Sequence, residues 1–270
     1  MLKVGSNTLT KETDNISRGK IEDIANQIAQ LQDTYEFIIV SSGAIAVAKQ
    51  FVKLESKGKD INVKQALASI GQPHLIRIYQ EIFREYGLLT SQCLLSYSDF
   101  EREQSRTNIV NTINILVSNN YIPIINENDT VATDEIRFGD NDTLAGLVAN
   151  LVDADKLLIL TDQEGVFDDD PRTNPKAQLI ECCPVTDKKL DQAAKGSGSL
   201  LGRGGMTTKI SAARLAARSG TTTVIANGNQ TNIIARLAAG ETCGTQLTNT
   251  SKPITARKQW LAGGLQVKGQ

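Results

Sequence analysis

IPIINENDT, residues 122–130, sets four apolar residues directly against one of the most polar runs of the chain, with no charged or flexible spacer between them. So short and continuous an apolar run reads as a strand from Ile122 to Ile125 buried on both faces, the environment of a central strand in a parallel sheet. The arrangement recurs on either side. FIIVSSGA (37–44) and KLLILTDQEG (156–165) each pass from an apolar run into small and polar residues. Further strands are expected at Leu2–Val4, Glu36–Val40, Leu88–Leu95, Lys156–Leu160 and Thr222–Ala226. Between them Ile109, Ile113, Leu116 and Val117, and later Met206, Ile210, Ala213 and Ala217, fall at helical spacing and mark core-facing helix stripes. Strands alternating with helices predict an α/β chain with helices on both faces of a mostly parallel sheet. Ligands of such sheets bind at the loops that follow the carboxyl ends of the strands.

The bulk composition agrees. In 270 residues, 40% hydrophobic and 22% charged is ordinary for a globular protein, and only 4% aromatic favours an aliphatic sheet-and-helix core over a β-sandwich. With 29 Lys and Arg against 30 Asp and Glu, no broad charge of one sign points to nucleic acid or to an anionic membrane, so a small-molecule partner is expected. Cys93, Cys182, Cys183 and Cys243 have neither metal-ligand spacing nor the pattern of a secreted disulfide framework, and reduced thiols are expected. No stretch approaches the ~18 apolar residues of a membrane span, and the expected location is the cytoplasm. No repeat or linker divides the chain, which reads as one domain.

Five segments carry candidate chemistry. Lys3-Val4-Gly5-Ser6 brings a lysine and a bare backbone turn to a strand end, suited to phosphate oxygens yet locally also an ordinary surface feature. Ser41-Ser42-Gly43-Ala44 is a strand-turn-helix junction that would bind a carboxylate or phosphate, or serve only as a helix cap. Asn126-Glu127-Asn128-Asp129-Thr130 with Gly139-Asp140-Asn141-Asp142-Thr143 crowds carboxylates and amides beyond a buried strand, an arrangement that costs repulsion and desolvation unless cations offset it, although Asp and Asn also start turns and Asp142-Thr143 would serve simply to open the next helix. Gly202-Arg203-Gly204-Gly205-Met206-Thr207-Thr208-Lys209 leads a flexible loop into a helix. It is not a Walker A loop, because Lys209 follows Thr208 instead of preceding it, and a backbone cradle for nucleotide phosphates with Lys209 as a movable charge fits better. Thr161-Asp162 ends another strand, and the aspartates 168–170 before Pro171 read as a solvated turn rather than a metal site, since neighbouring side chains in extended backbone diverge. His74 is taken as structural.

In this order the five segments resemble the amino acid kinase family. INENDTVATDEIRFGDNDTLAGLVA (125–149), LTDQEGVFDDDPRTNPKAQLI (160–180) and GRGGMTTKISAA (202–213) are similar to those members that phosphorylate the γ-carboxylate of L-glutamate with ATP, the first step of proline biosynthesis. The resemblance implies an open, mainly parallel sheet of about eight strands, with glutamate over the N-terminal half and ATP over the C-terminal half. It implies catalytic roles for Lys3, Asp142 and Lys209; glutamate contacts from Ser42, Gly43, Ala44, Asn126, Asp129, Asp140 and Asn141; and ATP contacts from Lys3, Gly5, Thr161, Asp162, Gly204, Gly205, Met206, Thr207, Thr208 and Lys209. Mg²⁺ would accompany ATP without a dedicated protein cage, proline would inhibit by feedback, and the chain would form a homo-oligomer. The kinase domain is expected over residues 1–260 with a tail at 261–270, lacking the RNA-binding-like domain that continues many bacterial members. Arg203 stands where a threonine is usual. A kinase of another carboxylate or carbamate, and a catalytically silent sensor, remain alternatives.

Overall fold

The computed structural model describes residues 1–10, 16–54, 61–131, 141–196 and 205–249. Eight strands are present: β1 (Leu2–Val4), β2 (Ile39–Ser41), β3 (Leu89–Leu95), β4 (Tyr121–Glu127), β5 (Lys156–Thr161), β6 (Cys182–Pro184), β7 (Thr222–Asn227) and β8 (Thr245–Thr248). They form one sheet in the order β3-β4-β2-β1-β5-β7-β8-β6, with every adjacent pair parallel except β7 and β8. The expected open, mostly parallel sheet is therefore what forms. Strand β2 starts later than the apolar run suggested. Phe37 and Ile38 are buried but precede it, because its neighbour β1 offers only three residues to pair with. The two strands missed in the sequence, β6 and β8, close the far edge, where short and partly exposed strands carry little apolar signal.

Helices α1 (Ser6–Thr10), α2 (Arg18–Leu31), α3 (Ala44–Lys49), α4 (Ile61–Glu85), α5 (Tyr97–Glu101), α6 (Glu103–Ser118), α7 (Asn141–Leu151), α8 (Lys189–Gly196), α9 (Met206–Ala216) and α10 (Ile233–Ala238) connect the strands. One core packs α2, α3, α4 and α10 on one face of the sheet, and a second packs α6, α7, α8 and α9 on the other. Strand alternation decides which side chain meets which layer. Leu2 and Val4 of β1 enter the first core, so Lys3 between them points toward the second layer, where α7 begins. Of the stripes expected on α6 and α9, Ile109, Ile113, Met206, Ile210 and Ala213 are buried, Leu116 and Val117 near the end of α6 are half-buried, and Ala217 is buried just past the end of α9. Among the described residues no helix is long and apolar enough to cross a membrane.

Helices α3 and α4 touch backbone to backbone at Gly71, where an added Cβ would lie 1.8 Å from the Ala44 carbonyl oxygen. Ala44 is the first residue of α3 and follows Gly43, whose φ of +111° only glycine adopts at little cost. Any side chain at position 71 would push α3 away. Gly71→Ala is expected to lower unfolding stability by about 1–3 kcal/mol, the usual range for overpacking, as measured by urea denaturation. A midpoint equal to that of the parent would show that the helices separate at no cost.

Candidate active site

The carboxyl ends of β4, β2, β1 and β5, four neighbours at the middle of the sheet, open onto a cleft of about 340 Å³. Its walls include Lys3, Gly5, Asn7, Ser42, Gly43, Ala44, Asn126, Glu127, Asp129, Asn141, Thr161, Asp162 and Lys209, so segments scattered over the whole sequence meet here.

Asp142 sits at the floor, in the first turn of α7 and wholly shielded from solvent. Its Oδ1 lies 2.5 Å from Lys3 Nζ and its Oδ2 3.0 Å from Lys209 Nζ. The Thr208 hydroxyl donates to Oδ2 at 2.9 Å. Burial alone would raise the Asp142 pKa, but the two ammonium groups and their hydrogen bonds override it and hold the carboxyl below its ordinary range. Two cations share the one Asp142 carboxylate. Lys3, taken locally for a possible surface residue, is 5% exposed, and Lys209 is 6% exposed.

On the β2–β4 side the contacts are amide and hydroxyl. Asn141 Nδ2 lies 2.8 Å from Ser42 Oγ, 2.8 Å from Asn126 Oδ1 and 3.0 Å from the Ser41 carbonyl. The turn Ser42–Ala44 and the end of β4 are thereby tied to the start of α7. On the β5 side, Asn7 Nδ2 donates to Asp162 Oδ2 at 3.1 Å and Thr161 Oγ1 to Asp162 Oδ1 at 3.0 Å. Burial pushes Asp162 up, yet these hydrogen bonds, assisted by the nearby Lys209 charge, leave its pKa lowered and its carboxylate ionised.

The glycine-rich loop divides. Lys209 lines the cleft, Thr208 braces Asp142, Met206 is buried in the core and Thr207 is exposed. Gly204, Arg203 and Asp140 lie outside the described residues, as does the segment 261–270. The aspartates 168–170 do form a turn, but Asp170 is buried instead of solvated. It accepts Arg172 Nε and Nη2 at 2.9 and 2.8 Å and the Arg172 backbone N–H at 3.0 Å, so the guanidinium replaces its water. His74 stacks on Phe51 with ring centroids 4.9 Å apart, as a structural residue would. The four cysteines are free thiols. Two residues that sequence reading passed over, Gln72 and Tyr79 on α4, reach the site from behind. Gln72 accepts from Asn126 Nδ2 at 2.8 Å and Tyr79 hydrogen-bonds Ser41 Oγ at 3.0 Å. Polar residues two turns apart on a buried helix face were the only signal available.

Residues 1–227 match the family model described as the Amino acid kinase family. The chain belongs to the amino acid kinase family. Among curated relatives, the glutamate 5-kinase of Hydrogenovibrio crunogenus is 46% identical over 271 residues, covering 100% of this chain and 72% of that one. The glutamate 5-kinase of Pseudomonas entomophila is 48% identical over 270 residues, covering 100% and 73%. Solved structures share the fold at low identity. UMP kinase from Ureaplasma parvum superposes with a TM-score of 0.63 at 18% identity, covering 92% of this chain and 97% of that one. The isopentenyl phosphate kinase product complex of T. acidophilum gives 0.58 at 16%, covering 91% and 98%. For this amino acid kinase the sequence expectation of family and sheet topology is met.

Proposed function

We infer that the chain is a glutamate 5-kinase, transferring the terminal phosphoryl group of ATP to the side-chain carboxylate of L-glutamate. Identity of 46–48% to enzymes of that name over the whole of this chain supports the activity, and the observation that carries the mechanism is the Lys3–Asp142–Lys209 floor of the cleft. The acceptor carboxylate is already ionised at neutral pH, so no base is required. What the transfer needs is alignment of two anions and compensation of the charge on the moving phosphoryl group. Two lysines held on one carboxylate provide that compensation from fixed positions, before the reaction begins. Asp142 keeps them close together, with both ammonium groups at the cleft where the phosphates would lie.

In this reading glutamate lies over β2 and β4, against Ser42, the Gly43 and Ala44 amides, Asn126, Asp129 and Asn141; the family resemblance adds Asp140, which lies outside the described residues. Hydroxyl and amide donors suit its carboxylates, while aspartate oxygens suit its ammonium group. ATP in this reading lies over β5 and α9, with Thr161, Asp162 and the segment from Gly205 to Lys209 beside its phosphates; the resemblance adds Gly204, which lies outside the described residues. Mg²⁺ would be held chiefly by the phosphates of the nucleotide. Such an ion would neutralise phosphate charge, and Asp162, ionised at the β5 end of the cleft, is one carboxylate that would face it.

The test is ADP release from ATP with Mg²⁺ in the presence of glutamate, aspartate, N-acetylglutamate, carbamate or UMP, with hydroxylamine added to trap an acyl phosphate. Glutamate alone should yield both ADP and a hydroxamate. A hydroxamate from aspartate instead would move the activity to another acyl acceptor, and no turnover with any acceptor would favour a sensor. Proline, whose carboxylate and secondary ammonium match the main-chain groups of glutamate, is expected to inhibit competitively against glutamate. Inhibition that glutamate cannot relieve would place proline elsewhere.

A further inference from the structure

Four side-chain amides run in a line from the cleft to the edge of the sheet: Asn141, Asn126, Gln72 and Gln92. Asn141 donates to Asn126 Oδ1 at 2.8 Å, Asn126 Nδ2 donates to Gln72 Oε1 at 2.8 Å, and Gln72 Nε2 reaches Gln92 Oε1 at 3.4 Å. The direction of this line is set at both residues that face the cleft by backbone groups, which cannot exchange donor for acceptor. The Glu127 N–H donates to Asn126 Oδ1 at 2.9 Å, so Asn126 must turn its NH₂ toward Gln72. The Ser41 carbonyl accepts from Asn141 Nδ2 at 3.0 Å, so Asn141 must present its NH₂ to Asn126 Oδ1 as well. Gln72, buried on α4 at 7% exposure, then has to offer its carbonyl to Asn126.

This arrangement decides what Asn126 shows the cleft. Its oxygen holds two donors, filling both acceptor positions, and one amide hydrogen is committed to Gln72. The other hydrogen has no acceptor among the described residues. Toward a ligand Asn126 is therefore a donor only, complementary to a carboxylate oxygen and mismatched to an ammonium group. Without Gln72 a buried N–H would lack its acceptor, and the amide would turn to recover one, pulling Oδ1 away from Asn141. We propose that Gln72 is a positioning residue of the acceptor site, fixing the Asn126 amide so that its free hydrogen meets a carboxylate of the phosphoryl acceptor. This rests on the reading that Asn126 touches the acceptor.

The experiment is a double-mutant cycle on the full chain with Gln72→Met and Asn126→Ala, reading KM for glutamate and for ATP. Methionine fills the glutamine volume without its polar atoms. Gln72→Met should raise the glutamate KM about tenfold, the expected size for a buried donor left unsatisfied, with the ATP KM unchanged. In the Asn126→Ala background the same substitution should change the glutamate KM less than about twofold, because the group through which Gln72 acts is gone. Equal factors in both backgrounds would overturn the proposal while leaving the acceptor site in place. An Asn126→Ala enzyme with an unaltered glutamate KM would overturn the acceptor-site reading and the proposal together. If Gln72→Met does not fold, Gln72→Asn enters the cycle in its place; it keeps the polarity but withdraws the carbonyl from Asn126, and the same two comparisons decide.

Discussion

Lys209→Met is expected to lower kcat about 10²–10³-fold, the range seen when one preorganised electrostatic group is removed from a transition state, with the glutamate KM changed less than about threefold. Methionine keeps the length and apolar stem of the buried lysine, so Met206, Ile210 and Ala213 of the same helix stay packed. What disappears is one ammonium group 3.0 Å from Asp142 Oδ2. Asp142 keeps Lys3 and the Thr208 hydroxyl, so the loss of folding stability should be modest, with the thermal midpoint falling by no more than about 4 °C for each kcal/mol lost. The informative comparison is between turnover and binding. In the proposed reading the ground-state contacts to glutamate come from β2, β4 and the start of α7, whereas charge on the transferring group develops beside the lysines. A rise confined to the KM for ATP, with kcat intact, would make Lys209 a binding residue and leave Lys3 to provide the charge compensation. Parent-like values of both would remove Lys209 from the mechanism.

How much of this site was legible depends on whether its partners are near in sequence or far. The central strands were readable because β4, β5 and β7 are continuous apolar runs, which only burial on both faces explains. Strands β6 and β8 were not: CCP and TQLT have no such run, and they take their place only because β7 provides an edge for β8 to pair with. Asp142 is instructive. Locally it is an acidic residue in the first turn of a helix, a common and favourable position for capping reasons alone. Its role appears only when β1 brings Lys3 and α9 brings Lys209 to its two oxygens, a convergence that resemblance to a family anticipated and periodicity did not. Gln72 and Tyr79 lay beyond both kinds of reading. Their partners Asn126 and Ser41 are distant in the chain, and a glutamine within an apolar helix stripe says nothing of which strand end it will face. The buried Asp170 was misread although its partner is near: Arg172, two residues on, folds back and satisfies both of its oxygens, which the extended-backbone argument did not allow for.

Asp142→Asn is the substitution expected to do most damage, to activity and folding alike. An asparagine has the same shape and still accepts hydrogen bonds, but it removes the negative charge that both buried ammonium groups contact, their side chains being 7% and 8% exposed. The two lysines then repel, and either one loses its proton or both move apart. A displacement of about 1 Å at a transferring group costs on the order of 10²-fold in rate, and loss of one compensating charge adds to it. Breaking a buried ion pair from one side typically destabilises by about 3–5 kcal/mol, because the remaining charge stays buried without its partner. The pH dependence separates this electrostatic cause from a packing defect. Burial opposes ionisation of Asp142 but the lysines more than offset it, so its folded pKa lies below the value of about 3.9 for an exposed aspartate. A carboxyl of depressed pKa contributes stability that is fully present above its unfolded pKa and is lost as pH falls through the folded one. The urea midpoints of parent and Asp142→Asn should therefore differ most at neutral pH and converge as the pH falls below about 4. A gap that stays constant on acidification would mean that asparagine disturbs the fold through shape, and that the charge of Asp142 does not hold the two lysines in place.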